Sequence, residues 1–90
     1  MLQRRTIIAN PTGLHARPAA LFAQKAATAG STITIARDGE APIDAASILS
    51  VMSLGLAHGD TVMLEADESA AAVLDALVEL LETNLDAVPA

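Results

Sequence analysis

Short segments of alternating or β-branched apolar residues predict the strands of this chain. Residues 31–37 and 61–66 alternate between apolar and polar side chains, so each segment would place one apolar face against a core. Residues 2–9 become apolar and β-branched toward their end and lead into a strong turn-forming cluster, Asn10-Pro11-Thr12-Gly13. We therefore predict a strand and a loop at the start of the chain and two half-buried strands further along.

A fourth strand is predicted from a hairpin signal. Asp38-Gly39 is a pair that favours a tight hairpin turn, and residues 40–43 would form the returning strand. This segment contains Pro42, which has no N–H to donate to a neighbouring strand. The returning strand is therefore expected at an edge of the sheet.

Three other segments have the periodicity of amphipathic helices. In the alanine-rich segment 16–29, Pro18 falls in the first turn, and Gly30 suits the position after the last turn. Residues 47–54 would form a short helix with more apolar residues than one buried face needs. Residues 70–85 predict the third helix, because an apolar stripe follows one face: Val73, Leu74, Leu77, Leu80, Leu81 and Leu85.

The elements follow the order βαββαβα. Hairpins combined with one-sided helices favour an antiparallel sheet covered on one face, which is an α+β fold. A chain of 90 residues has room for a single domain, residues 1–90. Hydrophobic residues make up 52% of the chain, but the only aromatic residue is Phe22, so the core is expected to be aliphatic.

Charge is distributed unevenly along the chain, whose formal net charge is −6. All five basic residues lie within residues 1–37, and all eleven acidic residues lie within residues 38–90. Two interpretations are open: the two parts attract each other on folding, or a local positive field surrounds Arg17. An acidic chain without clustered Lys and Arg is a poor binder of nucleic acid.

Several classes of site and location are disfavoured. The chain has no cysteine, which excludes disulfides, zinc–thiolate sites and thiol nucleophiles and fits the cytoplasm. No carboxylate lies at a zinc-motif spacing from His15, and no serine lies in a nucleophile elbow, so neither a metal nor hydrolase chemistry is expected. There is no membrane-spanning run or secretory signal. His58, in a turn before Gly59-Asp60, is expected at the surface.

His15 stands at the predicted start of the first helix, where negative charge is stabilised. The amides of Ala16 and Arg17 have no acceptor within the helix, and the helix dipole adds positive potential. A phosphoryl group on the imidazole would meet these donors and the Arg17 guanidinium, while Pro18 removes a third N–H and keeps the site open for release. An imidazole with its ordinary pKa of about 6.5 is largely neutral near neutral pH and can act as a nucleophile. Alternatively, His15 only caps the helix and Arg17 is merely solvated.

Two segments resemble the HPr family, the histidine-containing phosphocarriers of the bacterial phosphoenolpyruvate-dependent sugar phosphotransferase system. They are Gly13-Leu14-His15-Ala16-Arg17-Pro18-Ala19, which is similar to the phosphorylation-site motif, and Ser47-Ile48-Leu49-Ser50-Val51-Met52-Ser53-Leu54-Gly55, which is similar to the second helix. The resemblance covers nearly the whole chain. It implies an open-faced β-sandwich in which three helices cover one face of a four-stranded antiparallel sheet.

The resemblance also implies a function. His15 would accept a phosphoryl group on Nδ1 from phosphorylated enzyme I and donate it to a sugar-specific enzyme IIA, with the amides of Ala16 and Arg17 binding the phosphate oxygens. The side chain of Arg17 would screen charge during transfer. Such a protein is a stoichiometric carrier that forms a transient phosphohistidine, rather than a true catalyst, and it needs no cofactor.

A docking surface for both partners is implied as well. In the family, apolar residues of the second helix dock the partners, and the matching positions are Ile48, Leu49 and Met52. One of these three could instead belong to the core. The first helix would border the same surface with Ala20, Leu21 and Gln24.

Ser47 matches the serine that HPr kinase modifies in some lineages. Two departures weaken this interpretation: Ala46 stands where regulated members often carry Lys, and Ser50 replaces a common Gly. A phosphate at Ser47 would place negative charge in the docking surface. A plain N-cap role for Ser47 is therefore favoured.

Other functions remain open at this stage. A carrier of this fold could serve a nitrogen-regulatory or dihydroxyacetone-kinase phosphorelay, using His15 in the same way. A different class is a regulatory binding module whose Ser47 state controls a transcriptional regulator. We expect a cytoplasmic monomer without membrane insertion.

Overall fold

The computed structural model describes residues 1–10, 13–14 and 16–83. It contains four strands and three helices in the predicted order. The strands are β1 (Leu2–Ile7), β2 (Ile33–Arg37), β3 (Ile43–Asp44) and β4 (Thr61–Ala66). The helices are α1 (Ala16–Ala27), α2 (Ile48–Ser53) and α3 (Ala71–Glu82).

All strand pairs are antiparallel, and the strand order across the sheet is β1-β4-β2-β3. The edge position predicted for the returning strand is confirmed. The strand itself is shorter and later than the predicted segment 40–43, because the amide of Glu40 closes the turn on Arg37 O at 2.9 Å. Pro42 then has no N–H for the ladder, so pairing with β2 starts only at Ile43.

The core lies between one face of the sheet and the helices, as the alternating pattern predicts. In β2 and β4, the residues on this face are almost completely buried, and the aromatic ring of α1 packs among them. The largest fully buried side chains include Ile8, Phe22, Ile33, Ile35, Val51, Val62, Leu64, Leu74 and Leu77. The α+β class and the open-faced arrangement predicted from the sequence are confirmed.

The other face of the sheet is not covered by helices in the described part of the chain. Gln3, Arg5 and Ile7 of β1 are exposed there, opposite half-buried residues of β4 such as Met63. Arg5 makes an ion pair with Asp38 on this side, with 3.3 Å between Nη2 and Oδ1. This face supplies useful control positions, because it lies away from α1 and α2.

The predicted ends of β1 and α1 each lie two residues too far along the chain. β1 ends at Ile7 rather than at residue 9, because the amides of Ile8 and Ala9 bond to the loop before β4 and to the end of α3. α1 ends at Ala27 rather than at residue 29, because Thr28 bonds back to Lys25 O through both its amide and its hydroxyl. Such local bonding competes with helix continuation.

α3 is also shorter than predicted. A single 3₁₀ turn (Glu68–Ala70) precedes it, and the helix ends at Glu82 rather than at Leu85, which lies outside the described residues. Thr83 has extended backbone angles, and its hydroxyl bonds to the O of Glu79 at 2.7 Å. In the turn, the hydroxyl of Ser69 donates to Asp67 and, with nearby amides, lowers the pKa of that carboxyl.

Candidate functional site

His15 lies outside the described residues, but both sides of it are placed. Leu14 precedes it and is 4% exposed, and α1 begins directly after it at Ala16. Pro18 is fully buried, whereas Arg17 is exposed. The start of α1 is therefore anchored in the core by Leu14 and Pro18, while Arg17 faces solvent.

The loop before α1 is fixed by backbone hydrogen bonds. The turn predicted over residues 10–13 includes Pro11 and Thr12, which lie outside the described residues. At its two ends, the amide of Gly13 donates to Asn10 O at 2.9 Å, and the buried Asn10 side chain donates to Gly13 O at 2.9 Å. The amide of Leu14 donates to Leu56 O at 3.1 Å. Gly13 has a φ of +77°, and its Cα lies so near Leu56 that an added Cβ would be 2.4 Å from the Leu56 O.

The first turn of α1 has the donors that the sequence predicts. Ala16 and Arg17 are its first two residues, so their amides have no acceptor within the helix, and Pro18 supplies no N–H. An anion held at the position before Ala16 would meet these amides and the positive end of the helix dipole.

Arg17 has no hydrogen-bond or ion-pair partner among the residues that the structure describes. The other three arginines are all paired with acidic side chains, at distances of 3.0–3.3 Å. Each of these carboxylates comes from the acidic part of the chain, residues 38–90. Both interpretations of the charge asymmetry thus have a structural counterpart: these ion pairs join the two parts of the chain, and Arg17 has no acidic partner within the described ranges.

α2 packs beside α1 and runs in the opposite direction. The bond from Leu14 to Leu56 joins the start of α1 to the segment just after α2. At the other end, Ala27 of α1 and Ala46, just before α2, line the same cleft. The last turn of α2, with Met52, therefore lies at the end where α1 begins.

Four large apolar side chains on these two helices are exposed to solvent, and we call them the apolar patch. Leu49 is 81% exposed, and the other three are each about 40% exposed. The apolar patch consists of Leu21, Ile48, Leu49 and Met52. The only buried residue of α2 is Val51, so none of its three predicted docking residues belongs to the core. On α1, Ala20 is half-buried and Gln24 is exposed.

Ser47 is the N-cap of α2, as favoured from the sequence. Its Oγ accepts a hydrogen bond from the amide of Ser50 at 3.2 Å, and its backbone is extended. The cap accounts for a serine at this position without any modification. A regulatory phosphorylation of Ser47 stays a prediction. His58 is exposed in the turn before β4, as expected.

Sequence reasoning missed the role of Arg37. Its guanidinium contacts Glu40, Asp60 and the carbonyl groups that end α2. No sequence signal would have found it, because Arg37 and Asp60 are 23 residues apart and neither forms part of a motif.

The family of this chain is identified by its similarity to known proteins. A family model described as the PTS HPr component phosphorylation site matches residues 2–83. The chain belongs to the HPr family. The predicted general function, a phosphocarrier of the phosphotransferase system, is thereby confirmed at the level of the family.

Individual HPr proteins are similar over almost the full chain. The phosphocarrier protein HPr of Streptomyces coelicolor is 39% identical over 90 residues, which cover 99% of this chain and 97% of that protein. The crystal structure of HPr-C-His from Thermoanaerobacter tengcongensis has a TM-score of 0.84 at 40% identity, covering 99% of this chain and 100% of that one. An HPr dimer structure from the same organism has a TM-score of 0.64 at 45% identity, covering 83% and 86%.

Two negative findings apply to the described residues. No helix in residues 1–10, 13–14 and 16–83 is long and apolar enough to cross a membrane. Within the same ranges, His, Cys, Asp and Glu side chains form no group of three that could hold a metal ion.

Proposed function

We propose that this HPr-family chain accepts a phosphoryl group on Nδ1 of His15 from phosphorylated enzyme I and donates it to a sugar-specific enzyme IIA. In the first step, the P–N bond to His15 forms as the bond to the donor breaks. In the second step, the P–N bond breaks as the phosphoryl group forms a bond to enzyme IIA. The observation that carries the proposal is the exposed Arg17 guanidinium in the first turn of α1, which has no hydrogen-bond or ion-pair partner among the described residues.

The start of α1 suits a group that must both arrive and leave. Two amides, those of Ala16 and Arg17, are available to phosphate oxygens, and the Arg17 guanidinium adds charge-assisted hydrogen bonds. Pro18 limits the donors, so the phosphoryl group is stabilised without being trapped. Burial of Leu14 and Pro18 keeps these donors in place during both transfers.

The apolar patch supplies the contact area for both partners. Its four side chains lie on α1 and α2, and Met52 lies in the last turn of α2, at the end where α1 begins. A small apolar surface used by two partners in turn requires complexes that dissociate quickly. Enzyme I and enzyme IIA would therefore compete for this patch and exclude one another.

The proposal is tested by incubating the chain with phosphoenolpyruvate and a catalytic amount of enzyme I. The expected product is a single phosphoryl adduct, seen by mass spectrometry and lost after acid treatment. Adding enzyme IIA should remove the adduct, and omitting enzyme I should prevent it. A chain that gains no acid-labile adduct under these conditions is not a carrier of this kind.

Replacing Arg17 with alanine should slow phosphoryl transfer from enzyme I by about tenfold or more, because a charge-assisted partner of the phosphate is lost. The free energy of unfolding should change by less than about 0.5 kcal/mol, since the exposed side chain makes no hydrogen bond or ion pair with a described residue. Rapid-quench measurement of adduct formation checks the rate. Lys25→Ala is the matched control, because it removes the same charge from the last turn of α1. Equal rates in both variants would contradict the role of Arg17.

Replacing Leu49 with serine should raise the KM of enzyme I for this chain by about tenfold, because an exposed apolar anchor is removed from the interface. Leu49 is 81% exposed, so stability should change by less than about 0.5 kcal/mol. Ile7→Ser is the control, since Ile7 is 54% exposed on the uncovered face of the sheet. If Ile7→Ser raises KM as much as Leu49→Ser does, the docking surface is misplaced.

Some finer expectations stay predictions. A nitrogen-regulatory or dihydroxyacetone-kinase relay would use His15 in the same way, and no contact in the described residues favours either over sugar transport. Modification of Ser47 by HPr kinase, binding of a transcriptional regulator, and a cytoplasmic location also stay predictions. The same holds for the monomeric state, since one similar structure is an HPr dimer.

A further inference from the structure

α2 is too short to hold its own orientation. It has six residues, and an isolated helix of that length is unstable in water. Val51 is its only buried residue, and Leu54, the C-cap, adds a partly buried contact with the core. At its first turn, Ser47 provides the cap, whereas at its last turn the packing of Leu54 is supplemented by polar contacts.

Arg37 provides those contacts from the end of β2. Its Nη2 donates to the carbonyl oxygens of Leu54, the C-cap at the negative end of α2, and of Gly55, the residue that follows. Its Nη1 donates to Asp60 Oδ2 at 3.0 Å, and its Nε lies 3.3 Å from Glu40 Oε2. One planar guanidinium thus joins a strand, the end of a helix and the loop before β4.

The same contacts reach the start of α1. Asp60 Oδ2 also accepts from the amide of Ala57 at 2.8 Å, so Arg37 and Asp60 hold both ends of the loop over residues 54–60. Within that loop, the carbonyl of Leu56 accepts from the amide of Leu14, the residue before His15.

We infer that Arg37 is a positioning residue for phosphoryl exchange: it fixes the end of α2 against the start of α1, so that the apolar patch and His15 meet a partner in one geometry. This inference rests on the proposed function. Without Arg37, the two halves of the docking surface would move relative to one another, and binding of either partner would have to restore their arrangement.

The test compares two variants that each remove one arginine and its ion pairs. Arg37→Ala removes the contacts to α2, and Arg5→Ala removes the pair with Asp38 on the uncovered face of the sheet. For each variant we would measure KM and kcat with enzyme I and phosphoenolpyruvate. Hydrogen exchange would be followed at the amides of Leu14 and Leu64, which report the start of α1 and the core.

Arg37→Ala should raise KM by about five- to tenfold with kcat within about twofold of the wild type, because docking is weakened and the chemistry is not. Hydrogen exchange at the Leu14 amide should accelerate by a factor about ten times larger than the factor at the Leu64 amide, because only the structure around the start of α1 becomes looser. Arg5→Ala should change neither quantity. Arg37→Lys keeps the charge without the planar fork, so its KM should lie between those of the wild type and Arg37→Ala.

An unchanged KM in Arg37→Ala overturns the inference, and so does equal acceleration at Leu14 and Leu64, which would mean general destabilisation. If Arg37→Ala does not fold, Arg37→Lys carries the same comparison with Arg5→Ala. A wild-type chain that takes up no phosphoryl group contradicts the proposed function instead. In that case, exchange at Leu14 still decides whether Arg37 fixes the start of α1.

Discussion

Replacement of His15 by asparagine is expected to abolish the acid-labile adduct formed with enzyme I and phosphoenolpyruvate, while the chain stays folded. Asparagine is as good an N-cap as any residue, so the substitution keeps any capping that this position supplies and removes the nucleophilic imidazole. His15→Ala should give the same loss of adduct at a cost of about 1 kcal/mol in unfolding free energy if the position also caps α1. Mass spectrometry before and after acid, together with denaturant unfolding, measures both effects.

This pair of variants separates the two interpretations of His15 that the sequence leaves open. His58→Ala is the matched control, because His58 is an exposed histidine in a turn before β4 and should leave adduct formation unchanged. If His15 only caps the helix, the asparagine variant will take up phosphoryl groups at the wild-type level. That result would contradict the proposed acceptor.

Replacement of Gly13 by alanine is expected to lower the free energy of unfolding by about 2–4 kcal/mol. Two costs combine: the φ of +77° is unfavourable for any residue with a Cβ, and that Cβ would lie 2.4 Å from the backbone O of Leu56. Backbone cannot move aside as a flexible side chain would, so the bond from Leu14 to Leu56 should lengthen or break. Uptake of phosphoryl groups should fall as well, because this bond places the start of α1.

Gly30→Ala carries only the first cost, so the difference between the two variants measures the second. Gly30 has a φ of +73°, but no atom lies within 4 Å of a Cβ built there, so its replacement should cost only about 1 kcal/mol. Chemical denaturation of both variants gives the difference directly. Equal losses in the two variants would show that Gly13 does not approach Leu56 as closely as the structure indicates.

Most of the fold could be predicted from local patterns. The alternation in β2 and β4 correctly identified the buried face, because strand periodicity depends only on neighbouring residues. Pro42 placed β3 at an edge for a similar reason, since the missing N–H is a property of one residue. The helix ends were less predictable. Thr28 and Thr83 stop their helices through side-chain bonds that compete with an otherwise continuous apolar stripe.

The sequence predicts the chemistry of the candidate site but not the contacts that hold it in place. His15, Arg17 and Pro18 stand out because the donors at a helix start follow from helix geometry, and their roles in phosphoryl transfer stay predictions. The contacts that hold this start in place join residues far apart in sequence. Leu14 bonds to Leu56 and Arg37 bonds to Asp60, and neither pair has a periodicity that a sequence could display.

Only Val51 of α2 contributes to the hydrophobic core. The outward positions of this helix can therefore accept substitutions during evolution with little loss of folding free energy. Under the proposed function, a gene duplicate would acquire a new set of acceptors by changing two or three of these side chains, with the proposed phosphohistidine chemistry unchanged. Sequence divergence in α2 alone would be enough to keep parallel relays in one cell from exchanging phosphoryl groups.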